Sequence, residues 1–307
     1  DTDVSPEIAR GYTICIIGTV LWSSAAVFIR YLTETYQIPP LVLAFWRDLT
    51  VSMIVFGVLA LVAPGKLRLE RQHWGFVMFY GFVLSVFNSL WTISVDLNGA
   101  AVSTVLAYSS AAFTAVVGWR FLGERLGWIK ITAVSLSLLG CVFVSGAYDP
   151  SAWQINAVGV TTGLLSGAAF AGYSLMGRLS SRRNLYPWTA IAYTFAFAAI
   201  LLFIYNFFSP WLPTGAASTH FLWLGSNLNA WAVLLILAIV PTIGGYGLYT
   251  VSLTYLPASI ANVIAPLAPA MTAALAFCIL GERFSNPHML GSLMIFGGVI
   301  LLRLRVG

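Results

Sequence analysis

The chain has 307 residues, of which 59% are hydrophobic, 14% aromatic and only 8% charged, with a mean hydropathy of +0.89 and a formal net charge of +5. So little polar surface cannot cover a water-soluble globule, and apolar runs of about 20 residues recur along the sequence, the signature of a polytopic membrane protein. The positive charge does not point to nucleic acid, because the basic residues are scattered between apolar runs instead of forming a stripe.

Ten spans are predicted, at 11–33, 40–63, 73–96, 99–120, 127–146, 156–179, 186–208, 231–254, 257–280 and 287–305. Helices are expected, since lipid offers no partner to an unpaired amide, so the fold class is an all-α membrane protein of ten transmembrane helices. The first run is kept as an uncleaved span: Asp1, Asp3 and Glu7 outnumber Arg10 at its flank, and it continues past Ser23-Ser24-Ala25-Ala26 into Val27, Phe28 and Ile29. The second span carries two charges, Arg47 and Asp48. Arg47 lies about 10 Å below the outer end and either snorkels or serves a site. Adjacent helical positions diverge by about 100°, so the two cannot face one cavity squarely, and a proton relay on a central carboxylate is not expected. In the sixth span Gly163 and Gly167 form a small-residue face, open to packing within the monomer or to a dimer contact. Pro241, Gly244, Gly245 and Gly247 in the eighth span and Pro266 and Pro269 in the ninth are hinge candidates. Cys15, Cys141 and Cys278 all sit inside apolar runs, without disulfide or metal spacing.

Lys and Arg distribute unevenly between the two sides. Twelve of the 15 fall in the segments that face the N-terminal side, against Arg30 and Arg283 opposite and Arg47 within a span. The positive-inside rule then places both termini in the cytoplasm and the Lys- and Arg-free connection 209–230 outside.

Leu-Gly-Glu-Arg ends the fourth span at Leu122–Arg125 and the ninth at Leu280–Arg283. A shift of 158 residues over Leu90–Gly140 gives 12 identities in 51 columns, where roughly four or five are expected by chance, so the chain is read as an internal duplication. The repeats are residues 1–150 and 151–307. Five spans per repeat is odd, so the second copy is inverted, as in many secondary transporters. Each Glu-Arg is expected to satisfy loose backbone groups where the fourth span of a repeat turns into the fifth.

Trp22-Ser23-Ser24 in the first span, Pro39-Pro40 followed by Phe45 and Arg47 in the second, and the two Leu-Gly-Glu-Arg ends carry a family resemblance. The sequence resembles the drug/metabolite transporter superfamily, EamA-type, over essentially its whole length, and is similar within it to the YddG-like bacterial amino-acid exporters. The family often has Pro in the fourth span, where this chain has Tyr108-Ser109-Ser110-Ala111, whereas the matching region of the ninth has Pro266 and Pro269. An asymmetric central cavity is expected from that departure.

Substrate sites in repeat-built transporters lie near the midplane, where polar groups can face a wet cavity. Tyr108 is about 14 Å beyond Gly99, close to the middle of a core about 30 Å thick. Trp22 and Ser24 are mid-span, Phe87, Asn88 and Trp91 follow a helical spacing in the third, Tyr249 is the repeat mate of Trp91, and Tyr246 and Phe170 complete the set. Packing or lipid contact is the alternative for each aromatic. Trp74, Trp119, Trp128, Trp153, Trp188, Trp211, Trp223 and Trp231 fall near span ends as interfacial anchors, whereas Trp46 does not.

His73, His220 and His288 lie near span ends or outside, with no HExxH and no mid-span carboxylate pair, so an enzyme is not expected, nor a metal or cofactor. A channel or receptor gives no reason for an inverted duplication. The expected function is therefore transport, by alternating access, of a small neutral or zwitterionic solute across the bacterial inner membrane. An aromatic cavity with few fixed charges suits amino acids with apolar or aromatic side chains, and disfavours nucleotide sugars for want of a central basic cluster. Export as the direction is implied by the resemblance alone. Efflux of drugs or other metabolites is the alternative.

Overall fold

The computed structural model describes residues 6–124, 127–150, 157–208, 222, 225–271 and 286–305, and the regular elements among them are all helical. In chain order they are α1 (Pro6–Ser23), α2 (Ala25–Tyr36), α3 (Pro40–Val62), two short turns at Pro64–Lys66 and Arg71–His73, α4 (Trp74–Tyr108), α5 (Ser110–Leu122), α6 (Trp128–Ser145), α7 (Ala157–Arg182), α8 (Pro187–Phe207), α9 (Leu228–Leu237), a π-helix (Ala238–Tyr246), α10 (Gly247–Ser252), α11 (Ala258–Ile264) and α12 (Asn286–Arg305).

Among the described residues, seven stretches are long and apolar enough to cross a membrane: Pro40–Val62, Arg71–Ser94, Val102–Phe121, Trp128–Ser145, Ala157–Arg182, Pro187–Phe207 and Leu228–Ser252. Ala258–Met271 and Met289–Leu302 are shorter apolar helices, and the first expected span is divided into α1 and α2. The second Leu-Gly-Glu-Arg, Cys278, Arg125 and most of the 209–230 connection lie outside the described residues.

α4 holds two expected spans. A straight helix would separate Ser94 and Ser103 by about 13 Å, yet their hydroxyls are hydrogen-bonded at 2.8 Å, so the chain reverses between them.

Four membrane stretches are interrupted, each for a chemical reason. At Ser24 the amide and the hydroxyl both donate to the Leu21 carbonyl, at 3.3 and 2.7 Å, which ends α1. Ser109 uses the same device between α4 and α5, its amide and hydroxyl reaching the Leu106 carbonyl at 3.2 and 2.5 Å. α11 ends at Ile264 and helix resumes over 267–271, because Pro266 has no N–H to continue the ladder. In the π-helix, Pro241 likewise lacks a donor for the Leu237 carbonyl, and the Thr242 hydroxyl donates to it at 2.8 Å. The breaks at Ser109 and at Pro266 fall in neighbouring columns of the 158-residue shift. Serine thus does in one half what proline does in the other.

Close helix approaches rest on small residues. A Cβ at Gly163 would stand 2.6 Å from Leu106, and one at Gly167 2.7 Å from the Leu106 carbonyl, so this face packs within the chain. Gly140 and Gly291 join α6 to α12, and Gly18 and Gly245 join α1 to the π-helix, where a Cβ at Gly245 would stand 2.7 Å from the Trp22 backbone.

Span ends gather at two poles. At one, Thr189 donates to the Lys66 carbonyl at 2.6 Å, Arg178 to the Leu253 and Thr254 carbonyls at 2.9 and 2.8 Å, and Arg10 lies over the Tyr255 ring at 5.5 Å. At the other, Asn206 donates to the Leu41 carbonyl at 3.1 Å and Ser94 to that of Gly159 at 2.8 Å. The basic residues grouped by the sequence pattern, Lys66 to Arg71 and Arg178 to Arg183 among them, share the first pole. There Gly123, at φ +69°, closes α5. Among the described residues the Glu124 carboxylate meets side chains, where loose amides were expected for the motif. It accepts from the Ser259 hydroxyl and from Lys130 at 3.4 Å, while Lys130 donates to Ser259 at 2.8 Å. This network pins the α5–α6 turn to the start of α11.

Candidate functional site

The interrupted helices surround a nest of aromatic rings. Trp22, two residues before the Ser24 break, packs on Tyr246 at 4.8 Å, Phe170 at 5.5 Å and Tyr249 at 6.0 Å between centroids. Phe87 meets Phe170 at 5.1 Å, Tyr173 meets Tyr246 at 5.1 Å and Tyr80 meets Tyr173 at 4.8 Å. Phe195 closes on Tyr246 at 6.0 Å. Phe170, Tyr173 and Tyr249 are at most 1% exposed, so the rings fill the space they enclose and the nest is closed in this conformation. Edge-on and tilted ring pairs of this kind contribute about 1 kcal/mol each beyond their area.

Two polar groups border the rings. On one side a hydrogen-bonded chain crosses four elements: the Ser110 hydroxyl donates to Asn262 Oδ1 at 2.9 Å, Asn262 Nδ2 donates to the Tyr249 hydroxyl at 3.0 Å, and Tyr249 and Ser174 are 2.7 Å apart. Tyr173 and Thr250 pair beside it at 2.9 Å. Each member satisfies its neighbour, as a water-poor interior demands.

On the other side stand Arg47, Asp48 and Asn88. Asp48 is 0% exposed. Its Oδ1 accepts from Arg47 Nε and Nη2, both at 3.0 Å, and its Oδ2 accepts from Asn88 Nδ2 at 2.9 Å. The Arg47 side chain is 17% exposed. The helix that carries them, α3, packs against the π-helix that carries Tyr246. Across the 100° between adjacent positions the two charges still meet each other, because the length of the arginine side chain lets it fold back onto its neighbour. Asp48 is the residue sequence reasoning passed over, although an intramembrane charge is itself a signal.

The Tyr246 hydroxyl is buried without a hydrogen-bond partner among the described residues. An unsatisfied hydroxyl in such a place costs about 1–3 kcal/mol. Its ring lies among those of Trp22, Tyr173 and Phe195.

Of the residues singled out from sequence, Trp22, Phe87, Phe170, Tyr246 and Tyr249 share this ring network. Asn88 borders it through Asp48. Trp91 is partly buried against the same core. Ser24 is half-buried and breaks the helix, its proton given to Leu21. Tyr108, 9% exposed, ends α4 within electrostatic reach of Cys141 and Tyr249. Trp46 packs on Trp231 at 5.0 Å near the opposite pole from the basic one. Trp74, Trp119 and Trp128 are exposed, as anchors should be. Among the described residues no cluster of three or more His, Cys, Asp or Glu could hold a metal ion.

Comparison with known proteins places this architecture. The model of the EamA-like transporter family matches residues 9–146 and again 157–304. The chain is 25% identical over 302 residues to an "uncharacterized inner membrane transporter", YicL, of Salmonella typhimurium, covering 96% of this chain and 95% of that protein. It is 27% identical to the transporter YwfM of Bacillus subtilis over 80% of this chain and 78% of that one. The threonine/homoserine exporter RhtA of Salmonella typhimurium is 23% identical over 78% of this chain and 76% of its own length. A crystal structure of 18% identity superposes with a TM-score of 0.76, covering 96% of this chain and 97% of the other.

Proposed function

Because the chain belongs to the EamA-like transporter family, we infer that it moves a small zwitterionic solute, an amino acid, outward across the bacterial inner membrane through the ring nest. It is a membrane transporter and not an enzyme. The observation that carries the substrate reading is the Tyr246 hydroxyl, without a hydrogen-bond partner among the described residues, set among apolar rings on a helix that packs against the one bearing the Arg47–Asp48 pair. An amino acid presents the complementary groups: a carboxylate for Arg47, an ammonium for Asp48 and a side chain for the rings. The exporter RhtA among the relatives lends the substrate class its support.

Transport proceeds by alternating access of two inverted five-span repeats, residues 1–150 and 151–307. The neighbouring breaks at Ser109 and Pro266 support that symmetry, and discontinuous helices are where such transporters bind and bend. In the closed conformation the rings must part before solute passes. The basic pole faces the cytoplasm with both termini. Single cysteines at Ser181 and Ser218, in a background without native cysteine, should label with an impermeant thiol reagent from inside and outside respectively. Labelling of both from one side refutes the inverted arrangement.

Proteoliposome transport of a panel of amino acids, nucleotide sugars and cationic dyes tests the substrate class. Amino-acid flux above that of empty vesicles supports it, and flux of dyes alone replaces it with drug efflux. In the same preparations Tyr108→Ala should lower amino-acid flux at least tenfold with the melting temperature near wild type, and Tyr108→Phe should lower it by at most about fivefold, as expected for one hydrogen bond of about 1 kcal/mol. Unchanged flux per folded molecule in Tyr108→Ala removes Tyr108 from the pathway.

A further inference from the structure

A second feature stands apart from the ring nest. At the basic pole a cavity of about 350 Å³ opens between the α3–α4 connection and the turn that enters α8, lined by Lys66, Arg68, Glu70, His73, Arg183 and Tyr186 among others. Its two walls come from different halves of the chain, yet they are tied together. Besides the Thr189 bond to the Lys66 carbonyl, the Tyr193 hydroxyl donates to the Leu67 carbonyl at 3.0 Å.

The cations of this cavity are held without being neutralised. Arg183 lies over the Phe76 ring at 4.4 Å and Lys66 over the Tyr186 ring at 5.6 Å, contacts that fix their positions and leave their N–H groups free to donate. The carboxylate in the lining, Glu70, is engaged by Gln72 at 2.5 Å and by His73 at 3.8 Å. His73 Nδ1 is buried with no hydrogen-bond partner among the described residues. Three basic side chains, Lys66, Arg68 and Arg183, around one space are a set of donors short of an acceptor.

The surroundings identify the acceptor. The cavity lies where spans end, and just beyond it α4 presents Trp74, Met78 and Phe79 outward, 41%, 50% and 57% exposed. A ligand with an anionic head and apolar tails meets both surfaces at once. We propose that this cavity binds the phosphate of an anionic phospholipid headgroup, whose acyl chains lie along the exposed face of α4. A phosphodiester receives Arg183, Lys66 and Arg68 on its oxygens. Occupied in this way, the headgroup staples the two halves of the chain at the basic pole, whichever solute they carry.

The test uses the full-length protein in nanodiscs of phosphatidylcholine alone, or with phosphatidylglycerol added, followed by thermal melting and native mass spectrometry. Phosphatidylglycerol should raise the melting temperature and remain bound in the spectrum. Each basic side chain near an anionic lipid contributes about fivefold to affinity. Combined Lys66→Gln, Arg68→Gln and Arg183→Gln should therefore weaken retention by on the order of a hundredfold and abolish the thermal shift. Arg120→Gln, at the same pole but outside the cavity, should change neither. Equal losses in Arg120→Gln and Arg183→Gln overturn the proposal in favour of general surface charge. Inorganic phosphate reproducing the whole shift in phosphatidylcholine discs overturns the lipid assignment in favour of the free ion.

Discussion

Asp48→Ala should abolish transport and destabilise the protein by about 3 kcal/mol, the low end for removing one member of a buried ion pair. The low end applies because Arg47 is 17% exposed and can turn toward water once its partner is gone. Asn88 also loses the acceptor for its 2.9 Å bond. Two further variants separate function from folding. Asp48→Asn keeps an oxygen for Asn88 but turns its NH2 toward Arg47, which can move to water, so it should cost less stability than Asp48→Ala while transport is still lost. Arg47→Leu combined with Asp48→Leu removes both charges, which commonly costs little stability, and should fold yet remain inactive. Flux per folded molecule at wild-type level in either variant reduces the pair to a structural clamp.

Phe170→Ala carries the second large effect. This ring is 1% exposed and stands within 6.4 Å of five others: Trp22, Phe87, Tyr173, Tyr246 and Tyr249. Phe-to-Ala changes in packed cores cost about 3–5 kcal/mol. In a membrane the loss is one of packing, since lipid gives no hydrophobic drive between helices. The melting temperature should fall by several degrees, and the space vacated should shift selectivity toward bulkier amino-acid side chains. Phe170→Leu, which refills most of that volume, should recover stability while keeping part of the shift. An Ala variant with lower stability and an unchanged ratio of aromatic to small amino-acid flux makes Phe170 a packing residue only.

The distance between sequence and structure is instructive at particular positions. Span placement was legible because run length against bilayer thickness is a one-dimensional property. Trp22, Phe87, Phe170, Tyr246 and Tyr249, which lie in mid-span, meet in one ring network, whereas Trp91 and Tyr108 make no ring pair with it among the described residues. Ser109 was flagged only as a missing proline; that it breaks the helix depends on its hydroxyl sharing the Leu106 carbonyl with its own amide, a choice of rotamer that residue type does not dictate. Glu124 binds Lys130 and Ser259, and its link to Ser259 spans 135 positions, which no local pattern encodes. Arg47 and Asp48 were read as diverging by an argument about directions on an ideal helix, in which side-chain length did not enter. The ring nest was expected as an open cavity because sequence names linings and carries no information on conformational state.

The π-helix at Ala238–Tyr246 bears on how chains of this kind are to be aligned. A wide turn of this sort accommodates an additional residue within the length of an ordinary helix, so everything after it is rotated by about 100° relative to an uninterrupted α-register. Tyr246 and Tyr249 face Trp22 only with that rotation in place. A homologue whose corresponding helix is plain α would need a one-residue gap opposite 238–246 to bring its own aromatics into the same columns. An ungapped alignment, scoring well on hydrophobicity throughout, would pair the wrong faces and report the nest as absent.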